Sequence, residues 1–241
     1  MQVNTRAIVL HHTKYSETSI ITKLFTEQLG VVSYMVNGVR SSKGKHKAVL
    51  FQPSTLLEIQ ATQRENKTLQ RLTEYKRLHT YETIPFDIKK TAVTQLLTET
   101  LNRTISHHEP NTELFEFAWS SFVFLDTSTT LNPDFHLIFL LQLSAILGFR
   151  PHGNYTSVTP MFDLQEGSFV SQALSLEGAV GYPYSHYISE LKDLNTTHSE
   201  AVIPNGKARS SVLNHLLNYF RFHIADFGNL KSPEVLRAVF E

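Results

Sequence analysis

The stretch Arg40-Ser41-Ser42-Lys43-Gly44-Lys45-His46-Lys47 places four cations within eight residues, directly after a strand-like apolar run. Guanidinium and ammonium groups at this density do one kind of chemistry well: they displace counterions from a phosphate backbone. Read from Gly38, the same stretch comes close to a nucleotide-binding P-loop and misses it twice. Five residues separate Gly38 from Gly44 where the motif has four, and His46 stands where a Ser or Thr hydroxyl must hold magnesium. A solvated surface loop has the same composition, so the neighbours decide. Lys14, Lys23, Arg64, Lys67, Arg71, Lys76 and Arg77 fall in the same N-terminal segment and favour a polyanion as partner. Tyr15, Tyr34, Phe51 and Tyr75 lie between these positions, and single strands need flat apolar faces on which bases stack. Strand alternation places Tyr34 and Tyr75 outward as platforms and Phe25 and Phe51 inward, although each can instead serve the core. The nucleic-acid-contacting set read this way is Arg40, Lys43, Lys45, Lys47, Lys14, Lys67, Arg71, Tyr34 and Tyr75.

Other chemistries find no support. The chain has no cysteine, which excludes disulfides, thiolate nucleophiles and cysteine-ligated zinc. Its 12 histidines lack metal-site spacing. His11 and His12 are expected on opposite faces of a strand, and His107 and His108 are adjacent at a helix end. Only His215 and His223 share a helical face, and eight residues of helical rise separate them by about 12 Å, too far for one ion. No G-x-S-x-G elbow, H-E-x-x-H helix or carboxylate pair between glycine turns is present. The sequence therefore calls for no metal, no cofactor and no catalytic site.

The elements that must position the basic residues come in two sections. Through Thr80 the chain carries 12 Lys and Arg against 5 Asp and Glu, and from Tyr81 onward 10 against 17. A formal net charge of zero thus conceals +7 at one end and −7 at the other. The expected division is a nucleic-acid-binding domain over 1–80 and a helical domain over 81–241. Five strand-like runs rich in branched and aromatic residues occupy the first: Arg6 to His11, Ser19 to Phe25, Val31 to Val36, Thr55 to Ala61 and Thr68 to Arg77. Short connections at 27–30 and 64–67 suit hairpins, and the basic stretch makes a longer crossing. Such a set predicts a small closed barrel, an OB-fold or, on pattern alone, an SH3-like barrel.

After Tyr81 the period turns helical, beginning with Ile88, Ala92, Leu96, Leu101 and Ile105. Asn111 is placed to cap a segment rich in Phe, Asn132-Pro133 to open the next helix, and Gly148 to end it. The apolar surface from Phe135 through Ile146 marks that helix as central. From Phe149 to Tyr184 the pattern lapses into a Gly- and Pro-containing insertion with one hairpin at Met161 to Val170. A long helix follows from Lys207 to Gly228, and Ser232-Pro233-Glu234 starts a last short one. The longest apolar run, Leu137 to Leu147, is interrupted by Gln142 and Ser144 and reads as a buried helix, and the N-terminus lacks the features of a secretory signal. The expected location is the cytoplasm, in association with the nucleoid.

Several local patterns together resemble the RecO family of bacterial recombination mediators. Ala7-Ile8-Val9-Leu10 followed by Tyr15-Ser16-Glu17-Thr18-Ser19 is similar to the family's opening strand and Tyr-x-Glu-x-Ser turn. Leu24-Phe25-Thr26-Glu27 with Leu29-Gly30 resembles its second strand and hairpin, Asn37-Gly38-Val39-Arg40 stands where Lys-Gly-Ala-Arg is usual, and Gln52-Pro53 opens the fourth strand. Leu230-Lys231-Ser232-Pro233-Glu234-Val235-Leu236-Arg237 resembles the closing motif. The resemblance implies an OB-fold followed by a helical domain. It also implies a non-enzymatic mediator of the RecF pathway that binds single- and double-stranded DNA and anneals complementary strands. The partners it implies are RecR and the single-stranded DNA-binding protein, with RecA gaining access to gapped DNA as a result. Two departures matter. Many relatives carry four cysteines as a zinc site in the segment matching Phe149 to Tyr184, so here that insertion must be held by packing or remain mobile. Asn37 removes one charge from the binding face, whereas Arg40 matches. An alternative reading is a protein-interaction adaptor whose acidic domain docks partners and whose barrel binds no DNA productively.

Overall fold

The N-terminal apolar alternation closes on itself. The computed structural model describes residues 2–39, 45–62, 67–105, 109–172 and 178–240, with backbone alone at Lys45 and His46. Five strands, β1 (Gln2–Lys14), β2 (Ile20–Thr26), β3 (Gly30–Val36), β4 (Leu56–Thr62) and β5 (Leu69–Arg77), form a closed barrel in the order β1-β2-β3-β5-β4. The β3–β5 pair is parallel and the other four are antiparallel. This circuit is that of an OB-fold, which settles the choice between the two small barrels. Ala7, Val9, Leu24, Val32, Val36, Leu57 and Ile59 fill the interior. The crossing from β3 to β4, expected as a loop, ends in a one-turn helix, α1 (Lys45–Ala48), and a 3-10 turn at Val49–Phe51 that drops Phe51 into the core.

Helical segments follow: α2 (Ile88–Thr104), α3 (Thr112–Thr127), α4 (Phe135–Ile146), α5 (Tyr184–Leu191), α6 (Gly206–His223) and α7 (Ser232–Phe240). Their ends obey local chemistry. Asn111 Oδ1 accepts from the Leu114 amide at 2.9 Å and opens α3. Asn132 Oδ1 accepts from the Asp134 amide at 2.9 Å just before α4. Gly148, at φ +92°, lets the Phe149 amide return to the Ser144 carbonyl at 2.9 Å and stops that helix. The long helix α6 ends at His223, short of Gly228, because Ile224 turns extended. Helix α5 lies in a stretch where the sequence pattern showed none. No helix among the described residues is long and apolar enough to cross a membrane.

The chain divides into two compact units, Met1–Asp87 with Thr98–Thr127, and Ile88–Leu97 with Ser128–Glu241, so α2 contributes to both. This division redistributes the charge. The first unit carries 13 Lys and Arg against 12 Asp and Glu, and the second 9 against 10. The +7 and −7 seen along the sequence do not survive as net charges of compact units. Local faces must carry any electrostatic argument.

In the first unit, α3 lies on one end of the barrel's outer face. Phe25 meets Phe115 edge-on at 5.3 Å, and the Arg6 guanidinium sits 5.3 Å and 5.2 Å over the Phe115 and Trp119 rings. Arg6 also grips both Glu27 oxygens at 2.9 Å and bonds Glu116. Asp126, fully buried near the end of α3, accepts from the amides of Glu82, Thr83 and Ile84 at 2.9–3.1 Å and contacts His79 at 3.0 Å. Burial pushes this carboxyl up. The amides of Thr83, Glu82 and Ile84, with His79, outweigh burial and hold it down at about 2.

In the second unit, α4 is the buried central helix that its apolar surface predicts. Asp134, at its start, takes the Val202 and Ile203 amides at 2.6 and 3.0 Å and Arg209 Nε at 2.6 Å. The insertion is packed without thiolates. Strands β6 (Met161–Asp163), β7 (Ser168–Val170) and β8 (Ala179–Val180) form a small sheet in the order β7-β6-β8, the first two being the expected hairpin. Phe162 contacts Phe169 at 5.0 Å and Tyr219 at 5.5 Å, the Tyr219 hydroxyl bonds the Phe149 carbonyl, and His223 Nε2 meets the Leu164 carbonyl at 3.1 Å.

Candidate nucleic-acid interface

Strand register decides which side chains share the barrel's outer surface. Val9 pairs with Leu24, both inward. The next pair is His11 with Lys23, because β1 carries an extra residue at Leu10. Without that bulge His11 would follow Val9 into the core; with it, His11 turns outward beside Lys23. Two outward rows result. One runs His11, Lys23, Ser33, Leu69, and the other Thr13, Ile21, Met35, Arg71. Neither row contains a carboxylate.

The rest of the barrel surface differs. On the β4–β5 side Lys76 is paired with Glu58 and Gln60 faces Glu74, so the charge there is compensated. At the Arg6 end the cation is clasped by Glu27 and Glu116 under α3. The carboxylate-free rows are continuous with the turn after β1, where Lys14, Tyr15 and Glu17 are exposed, Tyr15 at 59%. Ile20 pairs with Val36, and the Ser19 hydroxyl donates to Asn37 Oδ1 at 3.0 Å. This turn therefore sits beside Asn37, just past the end of β3.

The expected contact residues fare unequally. Lys14, Lys47, Lys67 and Arg71 are all exposed, Lys14 beside the carboxylate-free rows and Arg71 at the end of one. Arg40 and Lys43 lie outside the described residues, as does the side chain of Lys45. Tyr34 corrects the expectation. It is 1% exposed and inside the barrel, where burial raises its hydroxyl pKa to about 12. Val32, Tyr34 and Val36 form the more apolar alternate set of β3, and Ser33 and Met35 take the outside. Tyr75 is also turned inward. It pairs with the core residue Ile59, is half-buried, and meets Phe51 edge-on at 4.8 Å. Tyr15 is the aromatic left with an open face. His11 enters the sequence reading only as a rejected metal ligand and Arg103 not at all; no local pattern marks either as a phosphate contact, since the bulge that turns His11 and the fold that brings the last turn of α2 near are tertiary facts. Among the described residues, no cluster of three or more His, Asp or Glu side chains could hold a metal ion.

Comparison with known proteins agrees with this architecture. Residues 1–81 match the family model described as Recombination protein O N terminal, and residues 85–201 the one described as Recombination protein O C terminal. The chain is 34% identical over 242 residues to the DNA repair protein RecO of Bacteroides fragilis, 34% over 241 to that of Flavobacterium psychrophilum and 35% over 247 to that of Christiangramia forsetii. In each case the match covers the whole of both chains. An OB barrel, a helical second section and full-length similarity lead to one conclusion: the chain belongs to the RecO family of DNA repair and recombination proteins.

Proposed function

We propose that the chain is a strand-annealing mediator that binds single- and double-stranded DNA, pairs complementary strands and helps RecA load where the single-stranded DNA-binding protein covers the DNA. The observation that carries this reading is the two carboxylate-free outward rows across β1, β2, β3 and β5, one of which ends at Arg71, with Lys14 and Tyr15 in the adjoining turn. Cations along such a face release counterions from each bound phosphate, which is a salt-dependent affinity without sequence preference. Two strands whose phosphates are neutralised this way repel each other less, and pairing follows from base complementarity. The Tyr15 ring offers a base a stacking face. Arg40, Lys43, Lys45 and Lys47 add further cations on the strength of their density in the sequence.

In this reading residues 1–80 contact DNA and residues 81–241 dock RecR and the single-stranded DNA-binding protein. The acidic, apolar tail of the latter suits a groove of about 740 Å³ at the start of α6, where Lys207 and Arg237 supply cations and Phe240 an apolar wall. The deciding experiment is annealing of complementary oligonucleotides with and without the single-stranded DNA-binding protein, alongside a salt titration of binding to one labelled strand. Affinity should fall steeply with salt, and annealing should persist on coated strands. Salt-independent binding would rule out phosphate contact, and absence of binding would leave the adaptor reading.

A further inference from the structure

The outward turn of His11 brings an imidazole beside the Lys23 ammonium, and the last turn of α2 adds Arg103. Lys23 is half-buried beneath the last turn of α2 and donates one of its three N–H groups to the Asn102 carbonyl at 3.0 Å. Arg103, exposed in that turn, acts on both Lys23 and His11. Loss of surrounding water, then His12, Lys23 and Arg103 hold the His11 pKa below its usual value, and burial with Arg103 lowers that of Lys23. No carboxylate acts on either group among the described residues. Glu99 stands one turn before Arg103 on α2, and Ser33 flanks Lys23 on β3. Two polar atoms here are buried without a partner among the described residues, His12 Nδ1 and Asn102 Oδ1. A half-turn of the Asn102 amide would present its NH2 group instead.

Cations near a helix C-terminus have an ordinary use in satisfying its carbonyls. One hydrogen bond from Lys23 meets that need, and among the described residues two of its N–H groups, the Arg103 fork and the His11 imidazole have no hydrogen-bond partner. We propose that His11, Lys23 and Arg103 form a subsite that takes one phosphodiester group of a nucleic-acid strand. The two anionic oxygens of that group supply both the missing negative charge and the missing acceptors. The inference rests on the DNA-binding reading and refines it, because it adds Arg103 to the contacts of residues 1–80, on the β1–β2 face beneath the last turn of α2.

The test compares the parent chain with the double variant Lys23→Gln/Arg103→Gln, using oligo-dT across a range of salt. The amide introduced in place of Lys23 keeps a donor for the Asn102 carbonyl. Loss of one phosphate contact should reduce the slope of log affinity against log salt by about 0.7. Affinity at low salt should fall about tenfold. An unchanged slope with the parent binding normally would overturn the subsite and leave the DNA-binding reading standing. A second measurement needs no variant: the His11 imidazole, followed by NMR in the parent chain, should titrate about one unit higher with bound oligo-dT. Should the parent fail to bind DNA, the DNA reading falls by itself. Inorganic phosphate then judges the subsite, since no change at His11 would reject it and a raised pKa would identify a site for free phosphate.

Discussion

Asp126 shows how one buried carboxylate can organise a chain segment. It is charged because three consecutive amides and His79 converge on it, and this convergence fixes residues 79–84 where the barrel's last strand gives way to helix. Its folded pKa of about 2 lies below the ordinary carboxylate value of 3.8. The stabilisation is therefore complete above pH 4 and lost as pH falls from about 4 to 2, with a magnitude of about 2 kcal/mol. Asp126→Ala should lose at least this much at neutral pH and show a flatter acid limb, as read by denaturant unfolding at several pH values. Arg6 makes a similar case. Its fork holds Glu27 while its plane covers Phe115 and Trp119, so Arg6→Lys, which keeps the charge, should still cost about 1–2 kcal/mol in the same assay. Neither residue shows its partner in sequence, since Arg6 and Glu116 are 110 positions apart. Tyr34 was misplaced for a different reason. Alternation gives two faces but not which one is inside, and the comparison of Val32, Tyr34 and Val36 with Val31, Ser33 and Met35 would have decided it.

At the scale of elements, the five strands were legible because each is a run of branched and aromatic residues bounded by turn residues. The helices α2, α3, α4 and α7 were legible because caps and apolar periods agreed. Bulges are not. The extra residue at Leu10 reverses the parity of β1 and turns His11 out, and nothing in a single sequence announces it. Helix α5 escaped because it is eight residues long and follows a glycine- and proline-containing stretch that reads as irregular. In the insertion, Gly167 is fixed by geometry: its φ is +66°, and an added Cβ would lie 2.8 Å from the Tyr219 hydroxyl. Gly167→Ala should cost about 1–3 kcal/mol, seen as a lowered Tm. Adding Tyr219→Phe should cost less in that background than alone, because the clashing oxygen is then gone.

For the molecule as a whole, the sequence polarity of +7 and −7 suggested a basic domain tied to an acidic one. The fold mixes these charges, since residues 98–127 bring Glu116 and Asp126 into the barrel's own unit. What remains is an uneven surface, compensated at the Arg6 end and along β4–β5, and cationic between them. Replacing Arg40, Lys43, Lys45 and Lys47 together by Ala should weaken single-strand binding equally across sequences and slow annealing, with the thermal transition unchanged; unaltered affinity would confine the contact to the outer face of the strands. The aromatic packing of Phe162, Phe169 and Tyr219 has its own bearing on a repair protein. Oxidants that break DNA also attack thiolate–zinc cages, and this chain offers them no thiolate to attack. Its insertion is closed by rings that a chelator cannot undo, so chelation should leave its melting temperature where it was. A DNA repair protein whose insertion is closed this way has no thiolate-bound metal there to lose under conditions that damage DNA.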